Sequence, residues 1–199
     1  MRRLGILGGT FDPPHIGHLI LAEYARDAVN LDAVLFVPAA DPPHKHGARL
    51  SVDHRLAMIT CAIDHRPEFA ISRVDIDRPG PHYTVDMLRI LREHYPQDEL
   101  YFIMGGDSLR DFIKWSRPKE LIALAKLVVM GRPNADAFPH MHEELLPNLA
   151  DRVIMTESPM LGVSSTDIVE RIRAGRSVRY VVPDPVLSYI DTHRLYRDE

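Results

Sequence analysis

Two imidazoles three residues apart, His15 and His18, close the stretch "GGTFDPPHIGH" (residues 8–18). It directly follows the apolar run "LGIL", so a buried strand hands over to a helix at this point. Glycines at 8, 9 and 17 and prolines at 13 and 14 would interrupt either element, which marks a shaped loop between them. Gly8 and Gly9 let the backbone approach a bound group closely, because no Cβ stands in the way. Gly17 and His18 then open a helix whose free N–H groups and dipole favour an anion. Positions three apart share a helix face, so both imidazoles can address one point. The dinucleotide pattern G-x-G-x-x-G and the triphosphate pattern G-x-x-x-x-G-K-[ST] are both absent. The loop therefore reads as a phosphate cradle of another design, with a tight turn carrying two surface histidines as the plainer alternative.

The elements that must position this loop alternate along the chain. "RLGIL", "AVLFVP", "ELYFIMG", "KLVVMG" and "RVIMTE" read as strands, and "FAISRVDI" as an extended segment. Between them "HLILAEYARDAV" (with Leu19, Ala22, Tyr24 and Ala25 inward), "DHRLAMITCAI" and "TVDMLRILREHY" carry helical period, the last with Thr84 as its expected N-cap. "STDIVERIRAG" is a helix stopped by Gly175, and "DPVLSYIDTHRLY" is a last helix. Alternating strands and helices predict an α/β fold: a doubly wound, mostly parallel sheet with right-handed crossovers and helices at the C-terminal end. One domain over residues 1–199 is expected, since a chain of this length supports a single substantial core. In such sheets ligands bind outside the carboxyl ends of the strands. The clusters "GGTFDPPHIGH", "ADPPHK", "GGDSL", "GRPN" and "ESPMLGVSST" each follow a strand, so they converge on one edge.

Composition bounds the chemistry. With 45% apolar and 26% charged residues the balance is globular, and a net charge of -4 argues against a nucleic-acid partner. Any anion site must be local. The single cysteine, Cys61, excludes an intrachain disulfide and fits a reducing, cytoplasmic setting; it sits on an apolar helical stripe and reads as core. Neither a secretory leader nor a membrane span is evident, so no membrane partner is expected, and a homo-oligomer is left open. "DRP" at Asp77 and the terminal "RDE" read as ordinary surface.

"GTFDPPHIGH" resembles the signature of the nucleotidylyltransferase superfamily, whose members carry an H-x-G-H element after the first strand. "VPAADPPHK", "GPHYTVDML", "FIMGGDSLRDFIKW", "LVVMGRP" and "VSSTDI" resemble its nicotinate-mononucleotide adenylyltransferase branch, in that family's order and over nearly the whole chain. The resemblance implies a Rossmann-like fold and adenylyl transfer from ATP to nicotinate mononucleotide, with Mg²⁺ carried by the ATP phosphates rather than by a metal site of the protein. It implies His15, His18 and Lys45 as the catalytic phosphate-side groups. ATP and its phosphates would meet Gly8, Gly9, Thr10, Phe11, Gly106, Asp107, Arg132, Ser164, Ser165 and Thr166. Nicotinate mononucleotide would meet Tyr83 and Thr84, through backbone N–H groups, and Trp115, through ring stacking. Where the family continues "SSTxIR" this chain has Val169, so Arg171, Arg173 or another base must compensate, or the triphosphate grip is weaker.

Plainer roles compete: a solvated loop for Lys45, a helix N-cap for Asp107, a core anchor for Trp115. For the whole chain the competing readings are nicotinamide mononucleotide or phosphopantetheine as acceptor and a nucleotide-binding module without turnover. A transition-metal hydrolase using His44 and His46 with His15, His18 and an aspartate is the remotest of them.

Overall fold

Six short runs rich in Val, Ile, Leu and Phe, each ended by glycine, proline or a polar turn, become the strands of one sheet. The computed structural model describes residues 1–40, 50–131, 138–159 and 161–197. The strands are β1 (Arg3–Gly9), β2 (Ala33–Pro38), β3 (Phe69–Ile71), β4 (Glu99–Gly105), β5 (Lys126–Gly131) and β6 (Val153–Glu157). Their order is β3-β2-β1-β4-β5-β6, and every neighbouring pair is parallel. Among the described residues the helices are α1 (Ile16–Val29), α2 (Val52–Ile63), α3 (Thr84–His94), α4 (Gly106–Arg110), α5 (Pro118–Leu124), α6 (Ser165–Arg173) and α7 (Asp184–Thr192).

Side chains on a strand point alternately to the two faces, and here both faces are covered, so the strands read as continuous apolar runs. Leu7, Phe36, Ile103 and Val128 pack with Ala22 and Ala25 of α1, Met58 and Ile59 of α2, Ile168 of α6 and Ile190 of α7. Ile6, Leu35, Phe102 and Val129 face the other way, onto Leu88 of α3, Leu109 of α4 and Leu121 of α5. The doubly wound parallel sheet and its late helices are thus as expected. Among the described residues no helix is long and apolar enough to cross a membrane.

Local departures have physical causes. Only Phe69–Ile71 of "FAISRVDI" pairs as a strand, because residues 73–77 fold back in turns, with the N–H groups of Ile76 and Asp77 donating to the Arg73 carbonyl. The N-cap of α3 is Tyr83, not Thr84, which is already helical. Tyr24 is 42% exposed, while Val29 takes the inward place on α1. Cys61 is only half-buried, at the rim of the core. Gly175 does end α6: its φ is +64°, and the N–H of Arg176 reaches back to the Arg171 carbonyl at 2.8 Å.

Candidate active site

The sheet changes winding direction between β1 and β4, and a cleft of about 180 Å³ lies there, at the carboxyl ends of the strands. His15, Gly17 of α1, Gly106 and Asp107 of α4, Gly131 of β5, and Ser158 and Val163 beyond β6 contribute to its walls. A wider groove, about 700 Å³, runs between the end of α6 and α7, away from the strand ends.

His15 is the N-cap of α1 and is 7% exposed. Its ring lies 3.8 Å from that of His18, centroid to centroid, so the spacing does bring the two imidazoles together. The backbone N–H of His15 donates to Nδ1 of His18 at 3.1 Å. An accepting Nδ1 carries no proton, so the neutral His18 ring holds its hydrogen on Nε2, as a donor. No acidic residue stands in the first turn of α1, which leaves the helix start attractive to anions. The glycine between the histidines has a steric reason. A Cβ on Gly17 would stand 3.0 Å from Nδ1 and 3.1 Å from Cε1 of His15. Gly17→Ala is therefore expected to push the His15 ring aside and lower turnover ~10-fold, since misplacement well under 1 Å is costly in a positioned site. Its melting temperature should stay level or rise, because alanine is the better helix former; steady-state rates beside thermal unfolding check both halves.

Gly8 and Gly9 end β1 as expected, but their surroundings differ. Among the described residues a Cβ at Gly8 would touch only the Phe102 ring, at 3.7 Å, whereas one at Gly9 would press on the Phe11 ring at 3.0 Å. Phe11 itself is 1% exposed, with a φ of 52°; its ring packs 4.8 Å from His18 and 5.7 Å from Phe36. The aromatic ring thus backs the imidazole and does not face the cleft. Thr10 directs its carbonyl to a guanidinium of α2, at 3.0 Å from Nη1 of Arg55. Ser164 caps α6, accepting from the Asp167 N–H at 3.1 Å. Ser165 Oγ donates to the Pro13 carbonyl at 2.9 Å, fastening α6 to the histidine loop, and Thr166 is exposed in the first turn. Asp107 sits inside α4, whose N-cap is Gly105, and pairs with Arg110.

Comparison with known proteins decides the family. Residues 6–171 match the cytidylyltransferase-like family model. The chain is 47% identical over 198 residues to a probable nicotinate-nucleotide adenylyltransferase of Thermomicrobium roseum, covering 99% of this chain and 92% of that one. A Thermus thermophilus protein of the same description is 46% identical, over 98% of this chain and 100% of its own. The chain belongs to the nicotinate-nucleotide adenylyltransferase family. The fold agrees with solved structures: the Plasmodium falciparum nicotinic acid mononucleotide adenylyltransferase complexed with NaAD superposes with a TM-score of 0.80 at 18% identity, covering 98% of each chain.

Other residues expected from the adenylyltransferase resemblance are placed less simply. Trp115 is half-buried, edge-on to Phe102 at 5.9 Å and tilted on Phe112 at 5.6 Å, so its inner side is anchored on the same ring that faces Gly8. Tyr83 is 42% exposed, but its N–H already donates to the Pro81 carbonyl at 3.2 Å. Of the two N–H groups expected to receive a carboxylate, that one is taken. Arg171 donates twice to the Ser177 carbonyl, at 3.1 and 2.8 Å, and Arg173 lines the wide groove at the far end of α6. Lys45, Arg132, His44 and His46 lie outside the described residues. Among the described residues no three His, Cys, Asp or Glu side chains gather to hold a metal.

Several buried or half-buried polar residues outside the cleft lining have no role in the motif reading. Arg55 is 2% exposed although charged. A periodic reading exposes it, because it shares a helix face with Met58, Ile59 and Ala62. Arg78 of "DRP" is not surface: its side chain is 9% exposed and paired with Asp75, whereas Asp77 stays outside on Arg73. Asp12 accepts from the Tyr196 hydroxyl at 2.5 Å and from the Leu50 N–H at 3.3 Å. Burial, and then the adjoining Asp12 carboxylate, raise the Tyr196 phenol far above its ordinary value, so it remains a donor at any working pH.

Proposed function

We infer that the chain moves the adenylyl group of ATP onto the 5′-phosphate of nicotinate mononucleotide, giving deamido-NAD and pyrophosphate in NAD biosynthesis. The observation that carries this reading is the joined pair of His15 and His18 at the start of α1, at the switch point of the sheet, in a chain similar throughout its length to proteins named for that reaction. A phosphate monoester has a second pKa near ~6, so at neutral pH the attacking group is largely dianionic and needs no strong base. Its oxygen forms the new bond to the α-phosphorus of ATP as the bond from that phosphorus to the bridging oxygen of the leaving pyrophosphate breaks. The protein's task is to bring anions together in line and to stabilise charge on the α-phosphoryl group and the leaving group. Positioning of this kind can be worth ~7–11 kcal/mol.

In this reading His18 donates Nε2–H to phosphate oxygen, His15 and the N-terminus of α1 hold the charge beside it, and the Ser165 and Thr166 start of α6 receives the triphosphate. Lys45 would add a cation on the phosphate side. Asp107 would take ribose hydroxyls, and Arg132 would border the adenine. The donors here are imidazole, hydroxyl and backbone N–H, and Asp107 is the one carboxylate among the described residues of the cleft, a set that suits phosphate better than a protein-held cation. Mg²⁺ fits as an ion held mostly by phosphate oxygens and water, where it neutralises phosphate charge. We place the reaction in a single cytoplasmic domain spanning residues 1–199.

Pyrophosphate release from ATP and Mg²⁺, with nicotinate mononucleotide and nicotinamide mononucleotide in parallel, is the test. Strong preference for the acid supports the reading. Equal use of both keeps the reaction and removes the acid specificity. Release with neither, but with phosphopantetheine, overturns the acceptor. Trp115→Ala is expected to raise the KM for the mononucleotide far more than that for ATP, because its outer face would stack on the pyridine ring. Equal change in both would mark Trp115 as an anchor for Phe102 and Phe112 alone.

A further inference from the structure

Three buried charges remain outside the roles assigned above. Arg55, on α2, sits where the chain leaves β1 and β2. Its Nη1 donates to the carbonyls of Thr10 at 3.0 Å and Ala39 at 2.8 Å, and its Nη2 to that of Ala40 at 3.4 Å. Thr10 begins the loop that leads to His15. The peptide of Ala40 is gripped from its other side as well, where its N–H donates to Asp75 Oδ2 at 3.2 Å. Asp75 is 6% exposed, and its Oδ1 accepts a fork from Arg78, at 3.0 Å from Nε and 2.6 Å from Nη2. Arg78 in turn donates to the carbonyls of Pro81 at 2.7 Å and Tyr83 at 3.2 Å. An unbroken line of hydrogen bonds therefore joins the histidine loop to Tyr83, at the start of α3.

Packing alone does not ask for these charges. Arg55 shares its stripe with Met58 and Ile59, both fully buried, and a methionine would fill the volume. Buried ionic groups replaced by apolar ones of like size often leave stability unchanged or improved. What an apolar residue cannot do is hold several carbonyls at fixed separations. A guanidinium does so because its donors are planar and rigidly spaced; an ammonium on a flexible stem does not.

We propose that Arg55, Asp75 and Arg78 are positioning residues that keep the His15–His18 end of the site and the Tyr83 end in register, so that the two substrates meet in line. The proposal rests on the transfer reaction inferred above. The test is a double-mutant cycle on the full chain, with Arg55→Lys, Arg78→Lys and the pair, reading kcat, both KM values and thermal unfolding with ATP, Mg²⁺ and nicotinate mononucleotide. Among the described residues Arg55 and Arg78 are joined through Ala40 and Asp75. Each single variant is expected to lose ~10-fold in kcat, and the pair well short of ~100-fold, because both cut the same line; the drop in melting temperature of the pair should likewise fall short of the sum of the two single drops. Losses in kcat that multiply, or variants that change only melting temperature, overturn it. Should Arg55→Lys fail to fold, Arg78→Lys alone decides: kcat must fall, and an effect confined to the mononucleotide KM refutes the coupling. A wild-type chain without turnover sinks the functional reading, whereas an active wild type with independent variants sinks this proposal alone.

Discussion

His18→Ala is expected to lower kcat by ~10²-fold or more, the usual cost of one transition-state hydrogen-bond donor. The geometry sharpens this. With Nδ1 of His18 accepting from the His15 N–H, the neutral ring carries its proton on Nε2, and Nε2–H is the donor assigned to phosphate. A glutamine places its amide nitrogen near the Nε2 position and an asparagine near Nδ1. His18→Gln should therefore keep part of the rate, losing ~10-fold, while His18→Asn falls with alanine. Steady-state kcat for the three variants checks the order. Near-wild-type turnover in His18→Ala would remove the residue from the mechanism, and asparagine outperforming glutamine would reverse the assignment of the two nitrogens.

Phe11→Ala should have the largest effect on stability. Its ring is among the most deeply buried and touches Phe36 and His18 at once, while Gly9 has no side chain so that the ring fits. Truncating a buried phenylalanine costs ~3–5 kcal/mol, against a total of ~5–15 kcal/mol for a domain. Thermal or denaturant unfolding should show a large loss of stability. At a temperature where the variant is still folded, kcat should also fall, because His18 loses the surface that fixes its plane. Unfolding near the wild-type midpoint would mean that the loop collapses into the space without penalty.

The sheet was legible because its runs are apolar on both faces and alternate with helical segments: Ile6 and Leu7, or Phe102 and Ile103, serve opposite cores, as strands of a doubly covered parallel sheet do. The histidine pair was legible from spacing alone. Phe11 was harder, since its place in the motif says that the position matters but not which way the ring turns; a φ of 52° sends it inward, behind the imidazole. Arg78 was hidden by its neighbours, a short charged triplet whose burial depends on Asp75 and on carbonyls at 81 and 83. Lone charges on helical stripes, as at Arg55, carry a signal that motif reading passes over. The limit at Thr84 was finer still: the threonine lies one residue past the cap that its type predicts, because the extended backbone of Tyr83 already turns the chain.

The bond from Tyr196 to Asp12 spans 184 positions, and Ile16 leans likewise on the Val181 carbonyl. The order of synthesis gives these distant links a meaning. The ribosome makes the histidine loop well before two of its supports, Val181 and Tyr196. A growing chain can lay β1 against β2 and later against β4, but the loop has no support from Tyr196 until that residue has emerged. Nascent fragments therefore carry the sequence of a phosphate seat without its finished shape, and nucleotides meet a completed one only on chains that have been read through residue 196.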